Sequence, residues 1–383
     1  MTTLLILIYV AFISLGLPDS LLGSAWPMIH TDLSIPVSFA GLISMTITCG
    51  TILSSLNSDR LIRRFGTGPV TCISVFMTAA ALLGFYFSPH LLWFLILAVP
   101  LGLGAGAIDS ALNNFVALHY KASHMNWLHC FWGVGATAGP MIMALFLTKA
   151  QGWRNGYLTI SIIQFALVAL LLLSLPLWKR CETPAESDSK TRHIVKTSEV
   201  LRMRGAKPAL ISFFCYCAVE ATTGLWGSTY LVQVHGLSAK TAASWIALYY
   251  LGITIGRLLA GFLSMRLSNK QLIRLGQGIC IMGCLTLFLG GFLSLQLVGL
   301  LLIGLGCAPI FPAMLHETPR RFGKEVSQSI MGIQMAFAYI GSTCMPPLFG
   351  FLAKVIHFQA FPYYLIAIVL LMVVTSERVN RMY

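Results

Sequence analysis

Three acidic residues lie inside long apolar stretches of this sequence: Asp19, Asp109 and Glu220. If those stretches cross a bilayer, a charge at mid-membrane costs about 2.5–3.5 kcal/mol on insertion scales, so such residues are functional candidates by default. A low-dielectric site favours the neutral form of a carboxyl group. We therefore predict that each carboxyl either binds and releases a proton as its access to water alternates, or stays neutral and bonded to a neighbouring helix.

Two of these acids occupy equivalent places in an internal repeat. Asp19-x-x-x-Gly23 matches Glu220-x-x-x-Gly224 at an offset of 201 residues. We expect Asp19 and Glu220 to be pseudo-symmetric partners that face a central cavity and contact the solute, and at least one of them to be the proton-coupling group. The alternative for each is a neutral acid that only joins two helices.

Amides and an imidazole accompany the third acid. Asp109 and Asn113 are four residues apart and so share one face of a helix; Asn114 follows directly, and Asn126 and His129 begin the next apolar stretch. This set of donors and acceptors suits a solute rich in hydroxyl groups, and His129 is also a candidate proton partner of Asp109. The open alternative is an interhelical network in which each hydrogen bond contributes about 0.6–2 kcal/mol.

Aromatic and amide side chains inside the apolar stretches complete the candidate binding residues. A sugar ring packs its apolar C–H face on an aromatic plane, so Trp132 and Trp226 are candidates for stacking on a solute. Tyr249, Tyr250 and Gln334 lie inside apolar stretches of the second half of the chain. For all five, packing against other helices or against lipid is the alternative.

The elements that must position these residues follow from the composition. Of 383 residues, 57% are hydrophobic and only 10% are charged, and the mean hydropathy is +0.81, whereas a soluble protein is about 25% charged. This composition excludes a soluble enzyme, a disordered chain and a nucleic-acid binder. A helix of about 20 apolar residues crosses a bilayer, and the continuous apolar stretches argue against a transmembrane β-barrel.

Twelve stretches of this kind predict an all-α membrane protein with twelve transmembrane helices. Their approximate spans are residues 4–26, 37–58, 68–87, 91–118, 125–148, 157–178, 208–234, 241–264, 271–291, 295–315, 326–350 and 360–376. The longest polar stretch separates two sets of six. We therefore predict an N-terminal six-helix bundle at 1–178, a cytoplasmic linker at 179–207 and a C-terminal six-helix bundle at 208–383.

The basic residues predict the orientation. With the N-terminus in the cytoplasm, 20 of the 25 Lys and Arg residues fall on the cytoplasmic side and four, among them Arg154 and Lys354, on the other, as is typical of membrane proteins. The net charge of +13 therefore indicates how the chain is oriented in the membrane rather than what it binds. Arg257 is left inside a helix, and we expect it to snorkel or to bond a cytoplasmic loop in preference to pairing with Glu220.

The segment after the second span carries a motif. Residues 55–64 read S-L-N-S-D-R-L-I-R-R and resemble the loop signature of the major facilitator superfamily, G-x-x-x-D-R-x-G-R-R/K, with Ser55 and Ile62 in place of its glycines. A weaker copy lies 206 residues later, with Met265 in place of the acid. The resemblance implies a cytoplasmic gate, to which we also assign Arg257. The signature charges present are Asp59, Arg60, Arg63 and Arg64.

A narrower resemblance is to the fucose-permease-like branch of that superfamily. The run N-W-L-H-C-F-W-G-V-G at 126–135 is similar to the branch pattern L-H-x-F-x-G-x-G. Glu220 followed by Gly224 and Trp226 is also similar, as is Gly252-x-x-x-Gly256-Arg257. The branch implies that sugars or sugar-like solutes are moved together with protons.

We therefore predict a secondary active transporter that works by alternating access and is not an enzyme. The first hypothesis is a proton symporter that imports a monosaccharide or polyol, the second a proton-coupled exporter of drugs or metabolites, and the third a non-transporting receptor or lipid-handling protein. The sequence has no Walker lysine motif to support ATP-driven transport. We expect a monomer in a bacterial inner membrane with cytoplasmic termini. Its expected partners are a small-molecule solute, protons and the bilayer, with no nucleic acid, cofactor or metal.

Overall fold

The computed structural model describes residues 2–120, 122–148, 151–181, 197–289, 292–323 and 327–383. All regular structure within these ranges is helical, with fourteen α-helices and one short 3₁₀ helix. The α-helices in chain order are α1 Thr2–Asp19, α2 Leu21–Asp32, α3 Phe39–Phe65, α4 Thr67–Phe87, α5 Leu91–His119, α6 Ala122–Phe146, α7 Gly152–Cys181, α8 Thr197–Val200, α9 Ala206–His235, α10 Ala239–Leu263, α11 Asn269–Phe288, α12 Leu293–Phe322, α13 Ser327–Ile356 and α14 Phe361–Asn380. The 3₁₀ helix, Phe358–Ala360, leads into α14.

Twelve segments of the described chain are long and apolar enough to cross a membrane. The first span comprises α1 and α2, the next five are α3–α7, and the last six are α9–α14. The predicted all-α fold with twelve spans is confirmed. The first and tenth spans continue to Asp32 and Phe322, beyond their predicted ends, because a helix need not unwind where its sequence becomes polar at the membrane surface.

A proline lies near the end of α1, inside the first span. Pro18 has no N–H, so it cannot donate the helical hydrogen bond to the carbonyl oxygen of Ser14. Gln164 Nε2 on α7 donates to that carbonyl instead, at 2.9 Å, and Thr78 Oγ1 on α4 donates to Gln164 Oε1 at 3.0 Å. A buried amide therefore restores the bond that the proline removes.

The helix is interrupted two residues after this proline. Ser20 separates α1 from α2, and its hydroxyl donates to the carbonyl oxygen of Ala136 on α6 at 2.8 Å. Asp19 is thereby the last residue of α1. The interruption places this acid at a helix end in the middle of the span, which apolar periodicity does not reveal.

Glycines allow helices to cross with their backbones in contact, and equivalent crossings recur in the two halves. A side chain at Gly102 on α5 would collide with the carbonyl of Ile47 on α3, and one at Gly304 on α12 would collide with that of Tyr249 on α10. Both glycines and both carbonyls are separated by 202 residues. The second and fourth spans therefore pack as the eighth and tenth do, as expected of a repeated transporter fold.

A second crossing shows the same repeat. Gly135 on α6 lies against the carbonyl of Ile13 on α1, and Gly341 on α13 lies against that of Phe214 on α9. The glycines are 206 residues apart and the carbonyls 201. Asp19 and Glu220 are also 201 residues apart. They therefore occupy equivalent positions on the equivalent helices α1 and α9.

The motif after the second span is helical in its entirety. The sequence predicts an end at residue 58, yet α3 continues through the signature to Phe65. It ends at Gly66, whose N–H donates to the carbonyl of Ile62 at 2.8 Å and whose φ of +83° is costly for residues with a side chain. The loop predicted here is therefore a helix extension.

The chain divides into two compact units. The first contains Met1–Glu186 and Leu231–Ala247, and the second contains Ser187–Tyr230 and Leu248–Tyr383. In the first unit α3 and α4 pack on α5, α4 also packs on α7, and α1 packs on α6; in the second, α11 packs on α12 and α14. The domain boundaries at 178 and 208 stay predictions.

Candidate functional site

An acid and an indole meet in the first unit. Trp132 Nε1 on α6 donates to Asp19 Oδ2 over a distance of 2.7 Å. Asp19 is exposed and Trp132 is half-buried, so the pair faces open space rather than the core. Within the described chain no basic side chain forms an ion pair with Asp19. The carboxyl can therefore exchange a proton, and the indole N–H, which can only donate, stabilises its charged form.

Close packing of α1 on α6 fixes this pair. A side chain at Gly16, three residues before Asp19, would collide with the carbonyl of Trp132, and one at Gly139 would collide with that of Leu17. Small residues of this kind let membrane helices approach closely. The two backbones are therefore in direct contact on either side of the acid, which brings the indole within reach of the carboxylate.

Asp109 and Asn113 share one face of α5, as their spacing predicts. Asn113 Nδ2 donates to the Asp109 carbonyl oxygen at 3.0 Å and to its Oδ1 at 2.9 Å. Asn113 Oδ1 is buried without a hydrogen-bond partner in this structure. The pair on α5 therefore has one unsatisfied acceptor that is enclosed by protein.

The remaining polar candidates of the first unit are placed less completely. His129 is exposed, lies three residues before Trp132 on α6, and meets the ring of Phe12 edge-on at a centroid distance of 6.0 Å. The side chains of Asn114 and Asn126 lie outside what the structure describes. Proton exchange between His129 and Asp109, and solute binding by these residues, stay predictions.

The acid of the second unit forms an ion pair. Arg257 Nη2 on α10 lies 3.7 Å from Glu220 Oε1 on α9, and the two side chains are 20% and 19% exposed. The expectation that Arg257 snorkels or bonds a cytoplasmic loop in preference to pairing with Glu220 is therefore wrong. A guanidinium inside a membrane-spanning helix lowers its cost by approaching a carboxylate, and α9 presents one.

The tyrosines of α10 connect it to α9. Tyr249 is fully buried and its hydroxyl donates to the backbone carbonyl of Glu220 at 3.0 Å. The Tyr250 hydroxyl lies against Gly224, where a side chain would collide with it. In this structure Tyr249 therefore contacts protein rather than open space, and solute contact by Tyr249 and Tyr250 stays a prediction.

Two further candidates of the second unit are buried in helix contacts. Trp226 is 0% exposed, donates from Nε1 to the carbonyl of Pro346 at 2.7 Å, and packs against Phe358 at a centroid distance of 5.6 Å. Gln334 is 2% exposed and accepts from Thr318 Oγ1 at 2.9 Å. The predictions of solute stacking by Trp226 and solute binding by Gln334 are not supported, because both side chains already contact protein.

A buried charge cluster in the second unit went unpredicted. Glu317 is 2% exposed; its carboxylate lies 3.6 Å from Arg321 Nε and accepts from Asn269 Nδ2 at 3.1 Å. Arg321 Nη2 in turn donates to Asn380 Oδ1 at 2.7 Å. The spacing of Glu317 and Arg321, four residues apart on one helix, was the available signal; the cluster joins α11, α12 and α14.

Comparison with known families identifies the fold. The model of the Major Facilitator Superfamily matches residues 8–335 and 241–376. The chain belongs to the Major Facilitator Superfamily. It is therefore a multi-pass membrane protein of a family of small-solute transporters. Among its described residues no group of three or more His, Cys, Asp or Glu side chains is arranged to hold a metal ion.

Relatives within the superfamily differ in their solutes. The chain is 24% identical over 396 residues to Bypass of stop codon protein 6 of Saccharomyces cerevisiae, covering 92% of this chain and 77% of the relative. It is 22% identical over 362 residues to the glucose/mannose transporter GlcP of Bacillus subtilis, covering 89% and 86%. It is 26% identical over 292 residues to the 4-hydroxybenzoate transporter PcaK of Pseudomonas aeruginosa, covering 74% and 62%.

Solved superfamily structures show the same fold at low identity. A bacterial homolog of the human lysosomal transporter Spinster has a TM-score of 0.80 and 12% identity, covering 100% of this chain and 97% of the other. A D-xylose–proton symporter has a TM-score of 0.77 and 14% identity, covering 98% and 97%. The transporter FucP has a TM-score of 0.66 and 18% identity, covering 99% and 98%.

The superfamily's signature residues lie at the end of α3. Arg60 and Arg64 are exposed, and the Arg64 guanidinium lies 5.3 Å from the ring centroid of Phe65. The side chains of Asp59 and Arg63 lie outside what the structure describes. Their role in a cytoplasmic gate stays a prediction.

Proposed function

We propose that this protein is a proton-coupled transporter of a monosaccharide or sugar-like solute that works by alternating access. Asp19 is the proton-coupling carboxyl in this proposal. The observation that carries it is the 2.7 Å hydrogen bond from Trp132 Nε1 to an exposed carboxyl with no basic partner in the described chain. Protonation of Asp19 neutralises the carboxylate that accepts this hydrogen bond. A proton and a solute can therefore both alter the contact between Asp19 and Trp132.

The chemistry near Asp19 favours a hydroxyl-rich solute. The Asp19 and Asp109 carboxyl groups, which are exposed and half-buried respectively, offer acceptors for hydroxyl groups, and the half-buried ring of Trp132 offers an apolar face. The sugar transporters among the similar proteins support this choice. His129, one turn from Trp132, extends the same polar face.

Glu220 has a different role in this proposal. Its pairing with Arg257 keeps its charge compensated, whereas within the described residues Asp19 accepts a hydrogen bond from the Trp132 indole and has no ion pair. We therefore assign Glu220 and Arg257 to solute binding or gating and reserve the proton for Asp19. This assignment distinguishes two positions that the sequence repeat alone makes equivalent.

One observation favours a second candidate, an organic acid as solute. Arg257 is a cation inside a span, and one similar protein is a 4-hydroxybenzoate transporter. A solute carboxylate could replace Glu220 as the partner of the guanidinium. In this case uptake would depend on Arg257 more strongly than on Asn113.

The cellular setting follows from the charge distribution. The excess of basic residues on one side supports the proposal that both termini are cytoplasmic. We propose a monomer in a bacterial inner membrane, driven by the proton gradient across it. Accessibility of single introduced cysteines to a membrane-impermeant thiol reagent in intact cells tests this orientation.

Uptake into proteoliposomes tests the proposal. The purified protein is given an inward proton gradient and a panel of labelled monosaccharides, polyols, aromatic acids and cationic drugs. The proposal expects accumulation of at least one sugar or polyol that a protonophore abolishes. Accumulation of aromatic acids alone would support the second candidate. Drug efflux, or no flux of any tested solute by correctly folded protein, would contradict both candidate functions.

A further inference from the structure

A cavity of about 470 Å³ lies at one end of the first unit. It is lined where α4 and α6 end and where α7 begins, so it sits at the edge of the membrane-spanning segments. Its lining includes the side chains of Tyr86, Leu145, Gln151, Arg154 and Asn155. The volume is that of a small-molecule site, and no part of the proposed transport chemistry uses it.

An arginine is fixed in this lining. Arg154 Nη1 donates to the carbonyl of Tyr86 at 2.6 Å, and the guanidinium lies 4.4 Å from the ring centroid of Trp153. Among the described residues, its other N–H groups have no hydrogen-bond partner. Both contacts fix the orientation of the guanidinium N–H donors before a ligand binds. A guanidinium held in this way is suited to bind phosphate oxygens.

The nearby acid does not neutralise this site by direct pairing. Asp32 acts on the charge of Arg154, but its Oδ2 accepts from the backbone N–H of Gln151 and from Trp153 Nε1, each at 2.8 Å. No ion pair joins Asp32 and Arg154 in the described chain. The carboxylate therefore holds the start of α7 in place and leaves the guanidinium donors available.

One wall of the cavity continues into the lipid-facing surface. Leu145 in the lining is 68% exposed, and Met141, one turn earlier on α6, is 57% exposed. Exposed apolar side chains on a membrane-spanning helix face the acyl chains of lipids. A ligand in this cavity thus contacts donors at the membrane edge and hydrocarbon immediately below, as a phospholipid does and a free solute does not.

We propose that this cavity binds the headgroup of one phospholipid, with the phosphodiester on the Arg154 guanidinium and an acyl chain along Leu145 and Met141. Asn155, exposed at the start of α7, contributes an amide donor. A guanidinium held in a fixed orientation is suited to bind the phosphate oxygens of a lipid headgroup. The phosphate is the recognised group, so the site discriminates between lipids with and without one.

Native mass spectrometry of the detergent-purified protein tests this proposal. Phosphatidylglycerol and phosphatidylethanolamine are titrated, with a galactolipid of the same acyl chains as the phosphate-free comparison and inorganic phosphate as the soluble competitor. We expect one phospholipid to bind at least tenfold more tightly than the galactolipid. Inorganic phosphate should not displace it.

Two variants separate binding from folding. Arg154→Gln removes the phosphate ligand and should weaken phospholipid binding at least tenfold. Asn155→Asp changes an exposed side chain to a nearly isosteric anion, so it should weaken binding without disturbing packing. Lys354→Gln, a matched loss of charge at an exposed position, should leave binding unchanged. Equal affinity in the wild type and both site variants, equal affinity for the galactolipid, or displacement by inorganic phosphate would overturn the proposal.

Discussion

Removing either partner of the Glu220–Arg257 pair leaves a charge inside the membrane, and the distance between them sets the cost. Arg257 Nη2 and Glu220 Oε1 are 3.7 Å apart, and the side chains are 20% and 19% exposed. At an effective dielectric constant of about 20, unit charges at this distance attract by about 4–5 kcal/mol. The contact is too long for a hydrogen bond and partly exposed, so we expect a coupling energy of about 1–3 kcal/mol.

The two single substitutions are not equivalent. Glu220→Gln leaves a guanidinium that cannot lose its proton, whereas Arg257→Gln leaves a carboxyl that can become neutral by binding one. Breaking a buried pair costs about 3–5 kcal/mol, and partial exposure reduces this cost here. The double variant Glu220→Gln/Arg257→Gln has neither charge, so it should be more stable than the sum of the two single effects predicts.

SDS-induced unfolding in mixed micelles, followed by tryptophan fluorescence, measures all four proteins. Arg257 has contacts besides Glu220, so the double-mutant cycle, and not either single variant, isolates the energy of the pair. A coupling energy below about 0.5 kcal/mol would refute the reasoning. Any uptake that the double variant retains should still depend on the proton gradient, because the proposed proton carrier is elsewhere.

Three further predictions concern single contacts. Trp132→Phe keeps the ring but removes the N–H; a hydrogen bond to a charged group contributes about 1.5–3 kcal/mol, so proton-driven uptake should fall at least tenfold while solute counterflow persists. Gly341→Ala should destabilise the protein by about 1–3 kcal/mol, whereas Gly332→Ala on the same helix, with open space around it, should not; thermal unfolding in detergent compares them. Gln164→Leu leaves the Ser14 carbonyl without its donor, while the Thr78 hydroxyl still donates to the carbonyl of Val75 at 2.9 Å; the substitution should cost about 1–3 kcal/mol in the same assay.

The sequence predicts the elements of the fold better than their contacts. Continuous apolar stretches set the number of spans, and glycine repeats such as Gly102 and Gly304 anticipate the equivalent helix crossings of the two halves. Apolar periodicity could not locate the interruption at Ser20, since apolar residues lie on both sides of it. Apolar periodicity also could not predict that α3 ends at Gly66, because a helix continues past the membrane surface when its residues permit.

The candidate site divides in the same way. Residue type and position within the apolar stretches indicated Asp19 and Trp132 as candidates. Their hydrogen bond depends on which helices cross and at which register, and spacing along one helix does not predict that. Trp226 has the same type and depth, yet it packs in the core of its unit. The burial of Glu317 near the end of α12 was not predicted, because burial at a helix end depends on neighbouring helices that the local sequence does not specify.

Solute-dependent proton uptake by proteoliposomes tests Asp19 as the proton carrier most directly. Wild-type protein should alkalinise a weakly buffered medium when solute is added, and Asp19→Asn should abolish that signal while still exchanging labelled for unlabelled solute. The double variant of Glu220 and Arg257, residues assigned to solute binding or gating, should lower solute exchange and proton movement together. Proton movement with solute in Asp19→Asn, or a double variant that still exchanges solute but moves no protons, would contradict the assignment.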